Sequence, residues 1–314
     1  MPEALETVSG HRSTDRIGRL LAVSGFLAIG PGLYMIGAVV CFAQVAGVEP
    51  AMSPAAQGAA AGLVFCTTVG VYLLDRVKLR DRWLDPADAE ADPRQYAFIA
   101  RHARVLRVWV CVMLGVAAWL GSRLVVGGAV IPFVGAVGVL VYAGRPRRNA
   151  RRPKDMLLLK NAYVASGVTG LAGIVSIAAH QPHAGAAAAV RFAGVHGAGL
   201  AVSAVHLALR VFADAALCDL DDEHSDRRFG TTTLPGRMGR MPAWNAAMLL
   251  RIAASAALMV VPTVPRVVGA AWAGVTVVSS MLLRGAAPAR VRHWVDVRFV
   301  LEAAAACAVI ACVT

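Results

Sequence analysis

Blocks of roughly 20 apolar residues recur along this 314-residue chain, each long enough to cross a bilayer core as a helix. They are read as about nine spans: 17–46, 55–74, 105–120, 125–142, 156–179, 186–212, 243–264, 267–283 and 297–313. Composition agrees, with 58% hydrophobic and 16% charged residues against about half and a quarter in soluble domains. The fold class is therefore all-α, a polytopic membrane helical bundle. Residues 1–16 are expected to form a cytoplasmic tail, and 17–314 a single transmembrane domain. The tail carries Glu3, Glu6 and Asp15 and has no early apolar core, unlike a cleavable signal. Pro31 is expected to kink the long first span, and the third and fourth spans should form a hairpin broken at Gly121–Arg123.

The net charge of +12 is a topology signal rather than a nucleic-acid one. Alternate connections are basic: Arg12, Arg16 and Arg19, then Arg76 to Arg104, Arg145 to Lys154, Arg227 to Arg240, and Arg284 to Arg292. The intervening connections offer only Arg123 and Arg266. Excess basic residues mark the cytoplasmic side and attract anionic lipid headgroups. The N-terminus is thus expected inside, the C-terminus outside, in a multi-pass cell or inner membrane protein. Five of six cysteines lie in apolar blocks without C-x-x-C spacing, so neither a disulfide framework nor a zinc site is implied.

Five of the chain's nineteen acids fall in "DLDDEHSD", residues 219–226. Asp219, Asp222 and Asp226 are spaced to share one helix face. Three carboxylates so placed repel one another unless a cation joins them, and magnesium pairs carboxylates with substrate phosphates. Arg227 and Arg228 lie alongside as candidate phosphate contacts. The plain alternative is a solvated acidic run. Gly230 should end the helix and Pro235 should prevent its resuming. An EF-hand is excluded by the missing glycine and distal glutamate.

The segment "DLDDEHSDRRFGTTTLPGRMG" resembles the second aspartate-rich motif of the UbiA superfamily of intramembrane prenyltransferases. The matching positions are Asp219, Asp222, Asp226, Gly230, Thr233, Leu234, Pro235 and Gly239. The resemblance implies nine helices, with aspartate motifs on cytoplasmic loops after the second and sixth spans. After the second span stands "VYLLDRVKLRDRWLD", where Asp75–Arg76 matches the centre of the family's N-D-x-x-D-R-x-x-D. Val71, Tyr72 and Leu79 occupy its other polar positions, so this first motif is degenerate; Asp81 and Asp85 just beyond are further candidate ligands. The resemblance implies Mg2+ held by Asp75, Asp219, Asp222 and Asp226, with Asp75, Asp219 and Asp222 as catalytic residues. Arg76, Lys160 and Asn161 join Arg227 and Arg228 as expected diphosphate-binding residues, Lys160 because an ionisable group inside an apolar block is costly without a role. Tyr72, Tyr142 and Tyr163 are candidate aromatic faces for a carbocation.

The activity so implied is transfer of a prenyl group from a prenyl diphosphate donor to an aromatic or lipid acceptor. Cyclisation of the same donor, as in UbiA-type terpene cyclases, and a non-catalytic scaffold or transporter of this fold are the alternatives. Membrane lipid is an expected partner and nucleic acid is not. Elsewhere, Arg210 and Asp214 read as a local i,i+4 ion pair, His196 and His206 as interhelical hydrogen-bonding groups, and His293–Trp294 as an interfacial anchor.

Overall fold

The computed structural model describes residues 25–48, 53–79, 86–143, 155–180, 186–284 and 288–313. The whole N-terminal tail and the first-span entry up to residue 24, Asp81 and Asp85, and the basic run from Arg145 to Lys154 lie outside these residues. The helices are α1 (Ile29–Val45), α2 (Pro54–Val77), α3 (Pro86–Ala91), α4 (Pro93–Leu124), α5 (Ile131–Ala143), α6 (Leu159–His180), α7 (Ala186–Arg228), α8 (Leu234–Met238), α9 (Arg240–Ala257), α10 (Arg266–Arg284) and α11 (Pro288–Val313). A helix of more than ten residues stands at each of the nine expected spans. Among the described residues, five stretches are long and apolar enough to cross a membrane: Pro54–Val77, Pro93–Leu124, Leu159–His180, Val190–His224 and Arg266–Leu283. Valines and tryptophans along α4 are exposed, as are Phe133, Val134 and Val137 on α5, the outer surface of an integral membrane protein.

The sequence shows why the helices start where they do. Ser53 and Asp92 accept hydrogen bonds from Ala56 N–H at 3.3 Å and Gln95 N–H at 2.9 Å, and each precedes a proline at the first helical position. Pro31 sits in the first turn of α1, and the break it causes falls just ahead of it. It has no N–H to donate and its ring crowds the carbonyl four residues back, so the helix is interrupted at Leu27–Ala28 and begins anew at Ile29. The break between α4 and α5 comes later than Gly121–Arg123, at Val125–Gly127, because Gly127 has the positive φ of 81° that the turn requires. Gly121 and Gly128 then touch backbone to backbone: a Cβ on Gly121 would stand 2.3 Å from the Gly128 carbonyl oxygen.

In packing, α2 lies on α4, α6 on α7, and α1 on both α11 and α2. Small residues permit close approach where helices cross. A Cβ on Gly37 would come 2.8 Å from the Phe299 carbonyl oxygen, and one on Gly199 would come 2.4 Å from that of Ala46. Helices α7 and α11 run antiparallel in a polar register: Asp222 meets Arg292, Asp214 meets Arg298, and Arg210 meets Glu302.

Candidate functional site

The aspartate run is helical throughout, not a loop. Helix α7 continues past the apolar block to Arg228, so Asp219, Asp222 and Asp226 occupy its last turns. Two hydrogen bonds close its end, Thr231 N–H to Asp226 O at 2.8 Å and Gly230 N–H to Arg227 O at 3.4 Å, with Gly230 at φ 76°. The Thr-Leu-Pro segment restarts the chain as a short helix. The Thr233 side chain caps it, Pro235 opens its first turn, and Gly239 at φ 85° ends it. These motif residues therefore act through turn geometry. Asp155 ties the connection to the start of α6, accepting from the Thr231 hydroxyl at 3.4 Å while its carbonyl accepts Thr232 N–H at 3.1 Å.

That tie sets Lys160 over the carboxylates. Lys160 Nζ lies 2.7 Å from Asp219 Oδ1 and 3.3 Å from Asp226 Oδ2, and Asn161 donates to Asp219 Oδ2 at 3.2 Å. From α11, Arg292 Nη2 reaches Asp222 Oδ2 at 2.5 Å, and its backbone N–H donates to Asp221 at 3.3 Å. Tyr142, stacked on Tyr163 at 5.0 Å between ring centres, lies within electrostatic reach of Lys160, Asp75, Asp219 and Asp226. Burial pushes the Asp226 carboxyl up to about 6, Asp222 and Asp219 adding to the shift and Lys160 opposing it.

The first-motif residues lie at the end of α2. Asp75 is paired with Lys78, which holds the backbone at φ 51° and ψ 170°, a region otherwise left to glycine. Arg107 on α4 fixes that end by donating to the carbonyls of Lys78 at 3.0 Å and Val77 at 3.4 Å. Arg76 turns to Asp88 at 3.4 Å and to the Tyr72 hydroxyl at 3.2 Å. Arg227 and Arg228 are exposed and point away from the aspartate face, Arg227 to Glu223 and Arg228 to Glu90, each at 3.0 Å. His224 likewise lies off that face, 3.5 Å from Glu90.

Among the described residues, no three His, Cys, Asp or Glu side chains converge to enclose a metal ion. Magnesium does not require such a cage, since one or two carboxylates with phosphate oxygens and water suffice. The donor chemistry on α7 fits one ion on those terms, and Asn161 Oδ1, buried beside Asp219, has no donor in the protein. Among the described residues the α2 half does not supply a second set: Tyr72 is a phenol and Asp75 is engaged by Lys78, while Asp81 and Asp85 lie outside them.

Beneath this mouth lies a second charged group inside the bundle. Arg210 donates to Thr276 at 2.9 Å and to Glu302; Arg251 reaches Glu302 at 2.9 Å and Asp214 at 3.0 Å. Arg298 bonds Asp214 at 2.7 Å and lies 3.3 Å from Glu302, while the Tyr34 hydroxyl donates to Asp214 at 2.9 Å. The Arg210 guanidinium also stacks 4.7 Å from the Phe299 ring centre and 5.2 Å from that of Trp272. The expected local pair of Arg210 and Asp214 is thus replaced by partners on α9, α10 and α11. Arg251, Arg298 and Glu302 were missed as functional candidates, although charges inside apolar spans are themselves the signal. His206 meets the interhelical expectation, its Nδ1 lying 3.1 Å from the Ala254 carbonyl oxygen.

No family model and no curated protein matches the chain. Solved structures do. The apo UbiA homolog from Aeropyrum pernix K1 superposes with a TM-score of 0.62 at 12% identity, over 90% of this chain and 98% of that one. A UbiA homolog from Archaeoglobus fulgidus bound to GPP and Mg2+ gives 0.56 at 12% identity, over 91% and 99%. The same homolog bound to DMAPP and Mg2+ gives 0.55, again at 12% identity over 91% and 99%. With nearly whole-chain coverage on both sides, the chain carries the UbiA fold.

Proposed function

We propose that this protein is an intramembrane prenyltransferase that ionises an isoprenyl diphosphate and transfers the prenyl group to an aromatic or lipid acceptor. In this reading nine helices span the membrane, with the N-terminus and the aspartate-bearing end of α7 on the cytoplasmic side. The observation that carries it is the meeting of Asp219, Asp222 and Asp226 with Lys160, Asn161 and Arg292 at one end of the bundle. Oxygen donors and fixed cations in one place suit a doubly phosphorylated headgroup and a counter-ion, and the solved homolog bound to GPP and Mg2+ supports that choice.

One or two of the α7 carboxylates Asp219, Asp222 and Asp226 would hold a divalent ion together with phosphate oxygens, with Asp75 at the end of α2 a further candidate. When bound, magnesium supplies positive charge to the phosphate oxygens as the leaving group departs. Lys160 moves its charge from the carboxylates to the phosphates. The allylic carbon–oxygen bond breaks with both electrons on the diphosphate, and fixed cations stabilise the charge that develops there. Tyr142 and Tyr163 offer stacked ring faces to the allylic cation. The acceptor's nucleophilic atom then bonds the carbon and releases a proton. Tyr72 in place of a first-motif carboxylate favours one second reading, closure of the donor on itself.

Purified protein with labelled geranyl, farnesyl or geranylgeranyl diphosphate tests the proposal. Product that requires magnesium and an added acceptor is the expected outcome. A hydrocarbon formed without acceptor means cyclisation, and no turnover with any donor–acceptor pair overturns the enzymatic reading. The acidity of Asp226 adds a pH dependence. Below about 6 its carboxylate takes up a proton and stops serving as an ion ligand. Turnover at subsaturating magnesium is therefore expected to fall as pH drops through that value and to recover with added magnesium, which a pH–rate series checks.

A further inference from the structure

We propose that Arg292 stands in for the cation that the degenerate first motif no longer holds, and that its guanidinium binds the diphosphate directly. The proposal rests on the prenyl diphosphate reading and extends it to the number of metal ions. Tyr72 is where the family pattern has its first carboxylate, and its hydroxyl accepts from Arg76 at 3.2 Å. Arg292, bonded to Asp222 at 2.5 Å, lies within electrostatic reach of both Tyr72 and Arg76.

The substitution keeps the site cationic. Two carboxylates at the positions of Tyr72 and Leu79 with a divalent ion sum to zero, whereas a phenol and a leucine with a guanidinium leave one positive charge for the diphosphate. Geometry agrees as well, because the planar guanidinium presents paired N–H groups that match phosphate oxygens. Arg292 is also held at a fixed height. The pairs Arg298–Asp214 and Glu302–Arg210 lock the register of α11 against α7, and Asp221 accepts the Arg292 backbone N–H at 3.3 Å. A long surface arginine would lack this anchoring. The site so built takes one divalent ion, on the α7 carboxylates, where a two-motif site would take two.

The test uses the full chain in detergent, with inorganic pyrophosphate as the anion and Mn2+ counted by electron paramagnetic resonance. One Mn2+ per chain at saturating pyrophosphate is expected. Arg292→Gln weakens pyrophosphate binding about tenfold or more, the loss of one charged hydrogen bond, and Arg292→Lys weakens it less. Combining Arg292→Gln with Tyr72→Asp restores a carboxylate and raises the count to two. Two Mn2+ ions in the unmodified chain, or unchanged pyrophosphate affinity in monodisperse Arg292→Gln, overturns the role of Arg292 and leaves the diphosphate reading intact. An unmodified chain that binds no pyrophosphate with or without Mn2+ overturns both.

Discussion

Replacing Asp219 and Asp222 together by alanine is expected to lower magnesium-dependent diphosphate release by about a thousandfold or more, on the scale of lost charge stabilisation at a preorganised site. Asp219 is almost fully buried and engages both Lys160 and Asn161, whereas Asp222 engages Arg292. Removing both therefore withdraws ion ligands, leaves the Arg292 guanidinium without its carboxylate, and leaves Lys160 with Asp226 alone. Each single change should already cost most of the activity, because residues acting as one unit lose function together rather than additively. Steady-state release of labelled diphosphate measures the effect, and binding of the donor analogue by the same variants separates lost binding from lost ionisation. A double variant within tenfold of the unmodified protein removes the aspartate helix from the chemistry.

Apolar blocks located a helix at every expected span, because lipid selects for length and hydropathy in one dimension. They misplaced ends for an equally physical reason. Hydropathy stops at the membrane face, whereas a helix continues wherever propensity allows, and Ala, Leu, Glu and Arg carry α7 from Phe212 on to Arg228. Helix α4 likewise begins at Pro93, far ahead of the expected Val105, with Asp92 as its cap. The aspartate spacing and the depth of Lys160 were both legible as chemistry. What joins them was not: Lys160 and Asp226 are 66 residues apart, Arg292 and Asp222 are 70, and no local pattern encodes either meeting. The reading of Arg210 with Asp214 failed on the same ground. Spacing puts both on one face of α7, but that face is packed against α9 and α11, whose own charges satisfy them better.

Glu302→Ala is expected to destabilise the protein by about 3–5 kcal/mol, the cost of removing one member of a buried ion cluster. Glu302 is 3% exposed and serves Arg210, Arg251, Arg298 and the Ser279 hydroxyl. Without it, Asp214 is left with three guanidiniums, and Arg210 keeps only Thr276 and the faces of Phe299 and Trp272. The penalty comes from uncompensated charge held away from water, so it exceeds the net worth of any single pair. Glu302→Gln retains the shape and some hydrogen bonding, and its loss should be smaller. Reversible unfolding in detergent micelles gives the comparison. Adding Arg251→Met to Glu302→Ala removes one orphaned charge, so the double variant should be more stable than the sum of the two single losses implies. Strict additivity would show that the guanidiniums are already hydrated individually. The interlock of α7, α9 and α11 would then owe its strength to packing at contacts such as Phe299 on Trp272 rather than to charge.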